Sequence, residues 1–298
     1  MNKYAKHLTY TLLPIVLFSQ QACSQQNSEN KRTEEQEAIN IEFEEFTRDS
    51  IVSKLKNKIA NSVPLVIHVF VPLCDNDNQG IVKVGGKLGE GRNLKTNLYW
   101  GAGYGLKTWF TRSKDWKLVK NEFNTDSSIL ERAVYLRIYP NKARVYLILD
   151  AYAGDRMKEC LENYFKSLSG IIRNSITIDS LNIPANGKSD FLIFNGHNGL
   201  MDQEVRVYQN RDNLQKDAAV IACVSSYYFN YYFKYLRAYP LVTTTNLLPP
   251  EAYVISAIID SWATMQPDEK IRKSAGEAMA KVHKLSTESC IKTFKTGW

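Results

Sequence analysis

The stretch Asp190-Phe191-Leu192-Ile193-Phe194-Asn195-Gly196-His197-Asn198-Gly199 sets an apolar run against a polar, glycine-bearing end. A continuous apolar run closed by turn residues is the pattern of a strand buried on both faces, which belongs to a parallel sheet covered by helices on either side. The pattern recurs downstream. Ala218-Ala219-Val220-Ile221-Ala222 ends at Cys223-Val224-Ser225-Ser226 and enters an aromatic helix over residues 227–235. Upstream, residues 64–71 give a strand that ends at Leu73-Cys74-Asp75-Asn76, and residues 143–150 give another. The helix after that one places Met157, Leu161, Tyr164, Phe165 and Leu168 on one face. A fifth strand, residues 239–244, leads through Pro249-Pro250-Glu251 into a helix near residues 251–264. A last helix near residues 268–285 puts Ile271, Ala275, Ala278, Met279 and Val282 on one face. This alternation predicts an α/β fold, a mostly parallel sheet with helices on both faces, and no linker interrupts residues 60–285.

Around that body, the chain has 298 residues, 44% hydrophobic and 23% charged, with a net charge of +7. Apolar content excludes a disordered chain, and the lack of a fixed period excludes collagen-like and coiled-coil classes. Five cysteines are too few for a small disulfide scaffold. Lys3 and Lys6 precede an apolar run over residues 8–18 that ends at Gln20-Gln21-Ala22-Cys23, so residues 1–22 read as an export signal, too short to span a bilayer. Ala22-Cys23 resembles a bacterial lipobox. That resemblance implies lipidation of Cys23 and a membrane-anchored lipoprotein of the cell envelope, on the outer membrane or periplasmic face, or a secreted protein if Cys23 is not lipidated. Residues 23–49 read as an acidic tether. The first 49 residues carry a net −3, so residues 50–298 carry +10, over the size of one α/β domain. Lys270, Arg272, Lys273, Lys281 and Lys284 on the last helix read as a solvated face; no nucleic-acid partner is expected of an exported protein.

Open parallel sheets bind ligands at the C-terminal ends of their strands. His197 and Cys223 occupy such ends on consecutive buried strands. A thiol is a weak nucleophile until a histidine or a positive field stabilises its thiolate, and the histidine then returns the proton to a leaving amine while backbone N–H groups hold the oxyanion. The pair therefore points to peptide or amide hydrolysis through a thioester. Gly196-His197 after one strand and Ala222-Cys223-Val224-Ser225 after the next resemble the clan of caspases, legumains, gingipains and clostripain. Legumain-like members give the nearest parallel, in Ala222-Cys223-Val224-Ser225, Thr243-Thr244-Thr245 and Pro249-Pro250-Glu251.

The resemblance implies a caspase-haemoglobinase fold and an exported cysteine endopeptidase acting on a peptide or protein substrate. Cys223 would be its nucleophile, His197 its base and acid, and N–H groups near Gly199 and Cys223 its oxyanion donors. The alternative is a catalytically inactive caspase-like domain that binds a peptide, protein or glycan at the same crevice.

Other residues accompany the pair. Asp202 either orients His197, lines a pocket or caps a turn; Asn198 and Gly199 line the site; Asp75 and Asn76 either face the crevice or make a turn; Ser225 and Ser226 either cap the next helix or take part in the site. No cofactor is expected. No metal is expected either, since the spacings CxxC and HxxxH are absent and only His68, His197 and His283 lie in the body. Seven glycines from residue 85 to residue 105 imply a shaped loop, yet Leu106 breaks both nucleotide-binding patterns, which leaves a nucleotide-handling protein as a third reading. Beyond Cys23, the cysteines Cys74, Cys160, Cys223 and Cys290 allow two disulfides, or at most one if Cys223 is a free nucleophile.

Overall fold

The computed structural model describes residues 46–298. The signal, most of the tether and Cys23 lie outside the described residues. The elements are α1 (Asp49–Ala60), β1 (Leu65–Pro72), α2 (Leu106–Arg112), β2 (Lys117–Phe123), β3 (Ile129–Ile138), β4 (Arg144–Tyr152), α3 (Met157–Leu168) and β5 (Ser175–Ile178). They continue with β6 (Leu181–Pro184), β7 (Phe191–Asn195), β8 (Lys216–Ile221), α4 (Ser225–Leu236), β9 (Ala238–Thr244), α5 (Ala252–Ala263), α6 (Asp268–His283), α7 (Thr287–Lys292) and β10 (Phe294–Lys295).

An eight-stranded sheet runs in the order β10-β9-β8-β7-β1-β4-β3-β2. The strands from β9 to β4 are mutually parallel; β10 closes one edge antiparallel to β9, and β3 and β2 extend the other edge antiparallel. Every residue of β1, β7 and β8 is buried, which is why these strands appear in the sequence as unbroken apolar runs rather than alternations.

One face of the sheet, with Ile67, Val69, Leu147, Ile193 and Ile221, packs under α1, α2, α5 and α6. The other, with Phe70, Phe194 and Val220, packs on Tyr164 and Phe165 of α3 and on Phe229 and Phe233 of α4. The β5–β6 hairpin covers the remainder of that second face through Ile176, Ile178 and Ile183. The aromatic helix thus spends Phe229 and Phe233 on the core, with Tyr232 stacked on Phe165 at 4.5 Å, while Tyr227 stays exposed.

The N-terminal edge of the sheet is tied by charge. Asp190 and Asp217, at the start of β7 and β8, are buried; Lys58 of α1 pairs with Asp190, and Arg48 makes a two-pronged pair with Asp217 at 2.7 Å. Trp262 adds an indole N–H donated to Asp217 at 2.7 Å. Phe46 packs on Tyr239 and Trp298. The folded body therefore takes in residues 46–49, which the sequence pattern assigns to the tether. Among the described residues no helix is long and apolar enough to cross a membrane.

Candidate functional site

Strand β8 gives way to α4 within three residues, Ala222-Cys223-Val224, and the turn is made by Val224 in the left-handed region at φ 49°, ψ 35°. A β-branched side chain rarely adopts that conformation, which costs roughly 1–3 kcal/mol and persists only where neighbours over-determine it. Here they do. The Ser225 hydroxyl donates to the Val220 carbonyl at 2.8 Å and accepts the Thr244 N–H at 2.9 Å. The Ser225 N–H donates to Thr244 Oγ1 at 3.0 Å, and the Val224 N–H to the Asn246 carbonyl at 3.1 Å. Ser225 is thus a brace of the elbow rather than a helix cap: α4 begins at Ser225 itself, and its N-cap residue, Val224, makes no side-chain cap. Cys223 stands at its tip, half-buried, with the positive end of a twelve-residue helix directly after it.

His197 comes from the neighbouring strand. In the β7–β8 ladder Asn195 lies opposite Ile221, the last residue of each strand, and His197 and Cys223 each follow two residues later in the turns beyond. Ile193, Ala219 and Ile221 face the α5 side; Asn195 Nδ2 donates to the Pro250 carbonyl at 3.0 Å, and the Cys223 thiol donates to the Leu248 carbonyl at 3.7 Å. The segment before α5 therefore covers both strand ends.

The imidazole of His197 is buried, with Nε2 at 2.6 Å from Asp202 Oδ2. An ionised carboxylate only accepts, so this contact places the ring proton on Nε2 and leaves Nδ1 of the neutral ring as the proton acceptor. The same Asp202 oxygen accepts the Gly80 N–H at 3.0 Å, and a Cβ on Gly80 would overlap the Asp202 carboxylate. Asn198 links the two turns: its Nδ2 donates to the Cys223 carbonyl at 2.7 Å while its Oδ1 accepts the Leu200 N–H at 3.2 Å. Gly199 opens the short turn Gly199–Met201, packed so closely on Met157 that a side chain would collide. Of the residues singled out in the sequence, His197 and Asp202 are brought into contact, and so are Asn198 and Cys223.

Asp75 and Asn76 do something else. Asp75 Oδ1 accepts the N–H groups of Asp77 and Asn78 at 3.0 and 3.2 Å, and Asn76 exchanges two hydrogen bonds with the Val84 backbone at 2.9 Å. Their side chains fold the glycine-rich loop, the turn alternative of the two open for them in the sequence. The nucleotide reading also loses its cation, because Lys107 is held by Glu131 at 2.6 Å and by Asn121. Among the described residues no cluster of His, Cys, Asp and Glu can hold a metal ion.

The four cysteines of the body are free thiols. Burial pushes the Cys74 thiol up to about 11 and raises those of Cys160 and Cys290, whereas Cys223 is the partly exposed one. Burial, with Cys74 nearby, raises the phenol of Tyr99.

Sequence reasoning missed one buried cluster. His68 Nε2 donates to Asp150 at 2.9 Å, its Nδ1 accepts the Asn186 N–H at 2.9 Å, and Arg132 clamps Asp150 with two bonds of 2.6 Å. His68 and Asp150 are enclosed, so the group pins the β5–β6 hairpin region to the sheet. The only trace of it in sequence is a histidine inside an apolar strand. Surface depressions of about 480 and 330 Å³, along α1 and beside Tyr208, touch neither His197 nor Cys223.

No family model, no curated protein and no solved structure matches this chain.

Proposed function

We propose that the chain is a cysteine endopeptidase of caspase-haemoglobinase type. Cys223 attacks the scissile carbonyl and His197 Nδ1 takes the thiol proton and returns it to the leaving amine. Asp202 orients the imidazole, and the N–H groups of Cys223 and Gly199 receive the oxyanion. The observation that carries this reading is the delivery of His197 and Cys223 by paired parallel strands two residues beyond the Asn195–Ile221 match, with His197 already held by a carboxylate. The N–H groups of Val224 and Ser225 are committed to the Asn246 carbonyl and to Thr244 Oγ1.

A peptide carrying a thiol-reactive group tests it. Labelling is expected on Cys223, lost in Cys223→Ala and strongly slowed in His197→Ala; labelling that persists in Cys223→Ala refutes the assignment.

A second reading is favoured by one contact, the thiol donating to the Leu248 carbonyl. On that reading the domain is silent and binds a peptide, protein or glycan at the same crevice, and saturable peptide binding without His197-dependent labelling identifies it. Both readings include attachment to the cell envelope through a lipid on Cys23, for which incorporation of labelled fatty acid, abolished by Cys23→Ala, is the test.

A further inference from the structure

Large apolar side chains stand exposed on each of the four connections that meet at the strand ends bearing the pair. Val82 and Tyr104 lie on the connection after β1, Met201 on the turn after β7, Tyr227 in the first turn of α4 after β8, and Leu247 on the segment after β9. Val82 is 92% exposed, Tyr227 76% and Leu247 66%. Isolated exposed apolar residues are common, but a set converging on one location marks a binding surface.

Backbone and side-chain bonds join these connections into one rim. Gly80 N–H donates to Asp202, which joins the β1 loop to the β7 turn; Asn198 donates to the Cys223 carbonyl, which joins the β7 turn to the elbow. Val224 N–H donates to the Asn246 carbonyl, and Ala252 N–H donates to the Tyr104 carbonyl at 2.9 Å, which closes the circuit back to the β1 loop.

Several charged groups on these connections have partners. Asp202 holds His197, Lys83 lies 3.9 Å from Asp77, and Glu251 accepts from Tyr253 at 2.5 Å beside His283 at 3.1 Å. The large side chains left exposed on all four connections, at the end of the sheet where Cys223 lies, are apolar.

We infer that the site takes polypeptide segments with a bulky aliphatic or aromatic residue next to the reacting bond, and not segments anchored by an acidic, amide or basic side chain. The inference rests on the peptidase reading and names its substrate class. Apolar burial alone discriminates at the level expected of one large side chain against a charged one.

The test is a series of peptidyl acyloxymethyl ketones that differ only in the residue beside the reactive group: Leu, Phe, Asp, Asn and Lys. The Leu and Phe probes are expected to label Cys223 about tenfold or more faster than the others, as one buried side chain allows. Tyr227→Ser and Leu247→Ser should each shrink that ratio several-fold while iodoacetamide labelling of Cys223 stays unchanged, which shows that the fold and the thiol are intact. Fastest labelling by Asp, Asn or Lys, or a ratio that neither substitution moves, overturns the apolar preference and leaves the peptidase reading standing. Absence of His197-dependent labelling by every probe overturns both.

Discussion

Cys223 is distinguished from the other thiols by its surroundings rather than by its residue type. Cys74, Cys160 and Cys290 are buried with their thiols raised by that burial, and thiolate is the reactive form. Iodoacetamide at neutral pH is therefore expected to modify Cys223 first and alone in the folded protein, as peptide mapping would show; modification of Cys74 at a comparable rate contradicts this. His197 depends on Asp202 for the position of its proton. Asp202→Asn should slow peptide-probe labelling by about 100-fold, the usual scale for a disturbed acid–base group, with the melting temperature unchanged. Gly80→Ala acts through the same carboxylate and should slow labelling in the same direction by less, because its added carbon forces Asp202 aside. Labelling unaffected by either substitution would show that Asp202 only caps its turn. This carboxylate was visible in the sequence as one of three options at position 202; that Gly80 shares it was not, since 122 positions separate the two.

At the scale of elements, the elbow between β8 and α4 concentrates strain where chemistry is proposed. Val224→Gly removes the left-handed penalty and should raise stability by about 1 kcal/mol in urea unfolding, while peptide-probe labelling falls because the thiol is less rigidly presented. A loss of stability would mean that Val224 is not strained. The same element scale explains what could be read in advance. Strands β1, β4, β7, β8 and β9 are buried on both faces or nearly so, and their apolar runs declare them. By contrast β2 is largely exposed and carries Lys117, Lys120 and Glu122, which resemble loop composition. Strand β3 buries Glu131, whose partners Trp100 and Lys107 lie outside its own element, and Arg132 beside it pairs with Asp150 on β4. Charges paired across the fold look like solvent-facing residues when only neighbours in sequence are considered. The β5–β6 hairpin and the two-residue β10 are too short to give a periodic signal.

Across the whole molecule, charge is placed at opposite ends of the sheet for different purposes. At the N-terminal edge Arg48 neutralises the enclosed Asp217 and reaches Asp268 of α6 at 2.8 Å. Arg48→Ala strands a buried carboxylate and should destabilise the fold by about 3–5 kcal/mol, read from the urea midpoint; a change under about 1 kcal/mol would show that water reaches Asp217. In the interior, burial lowers the pKa of His68 against the pull of Asp150. Its neutral form is the folded form, so its contribution is complete above about pH 6.5 and is lost as pH falls toward the lowered value. Burial alone would raise Asp150, but His68 and Arg132 hold it down to about 2, so its contribution is complete above about pH 4 and is lost toward pH 2. The urea midpoint should accordingly drop between pH 7 and pH 5, and the drop should be smaller in His68→Gln; equal slopes would contradict the assignment.

The C-terminal edge carries the proposed chemistry, and the whole account depends on His197 and Cys223 acting together there. The direct measurement is the rate at which a peptidyl acyloxymethyl ketone labels the native chain, Cys223→Ala and His197→Ala. Labelling is expected only on Cys223, abolished in the first variant and slowed by about 100-fold or more in the second. Labelling that survives Cys223→Ala, or that is indifferent to His197, would contradict it.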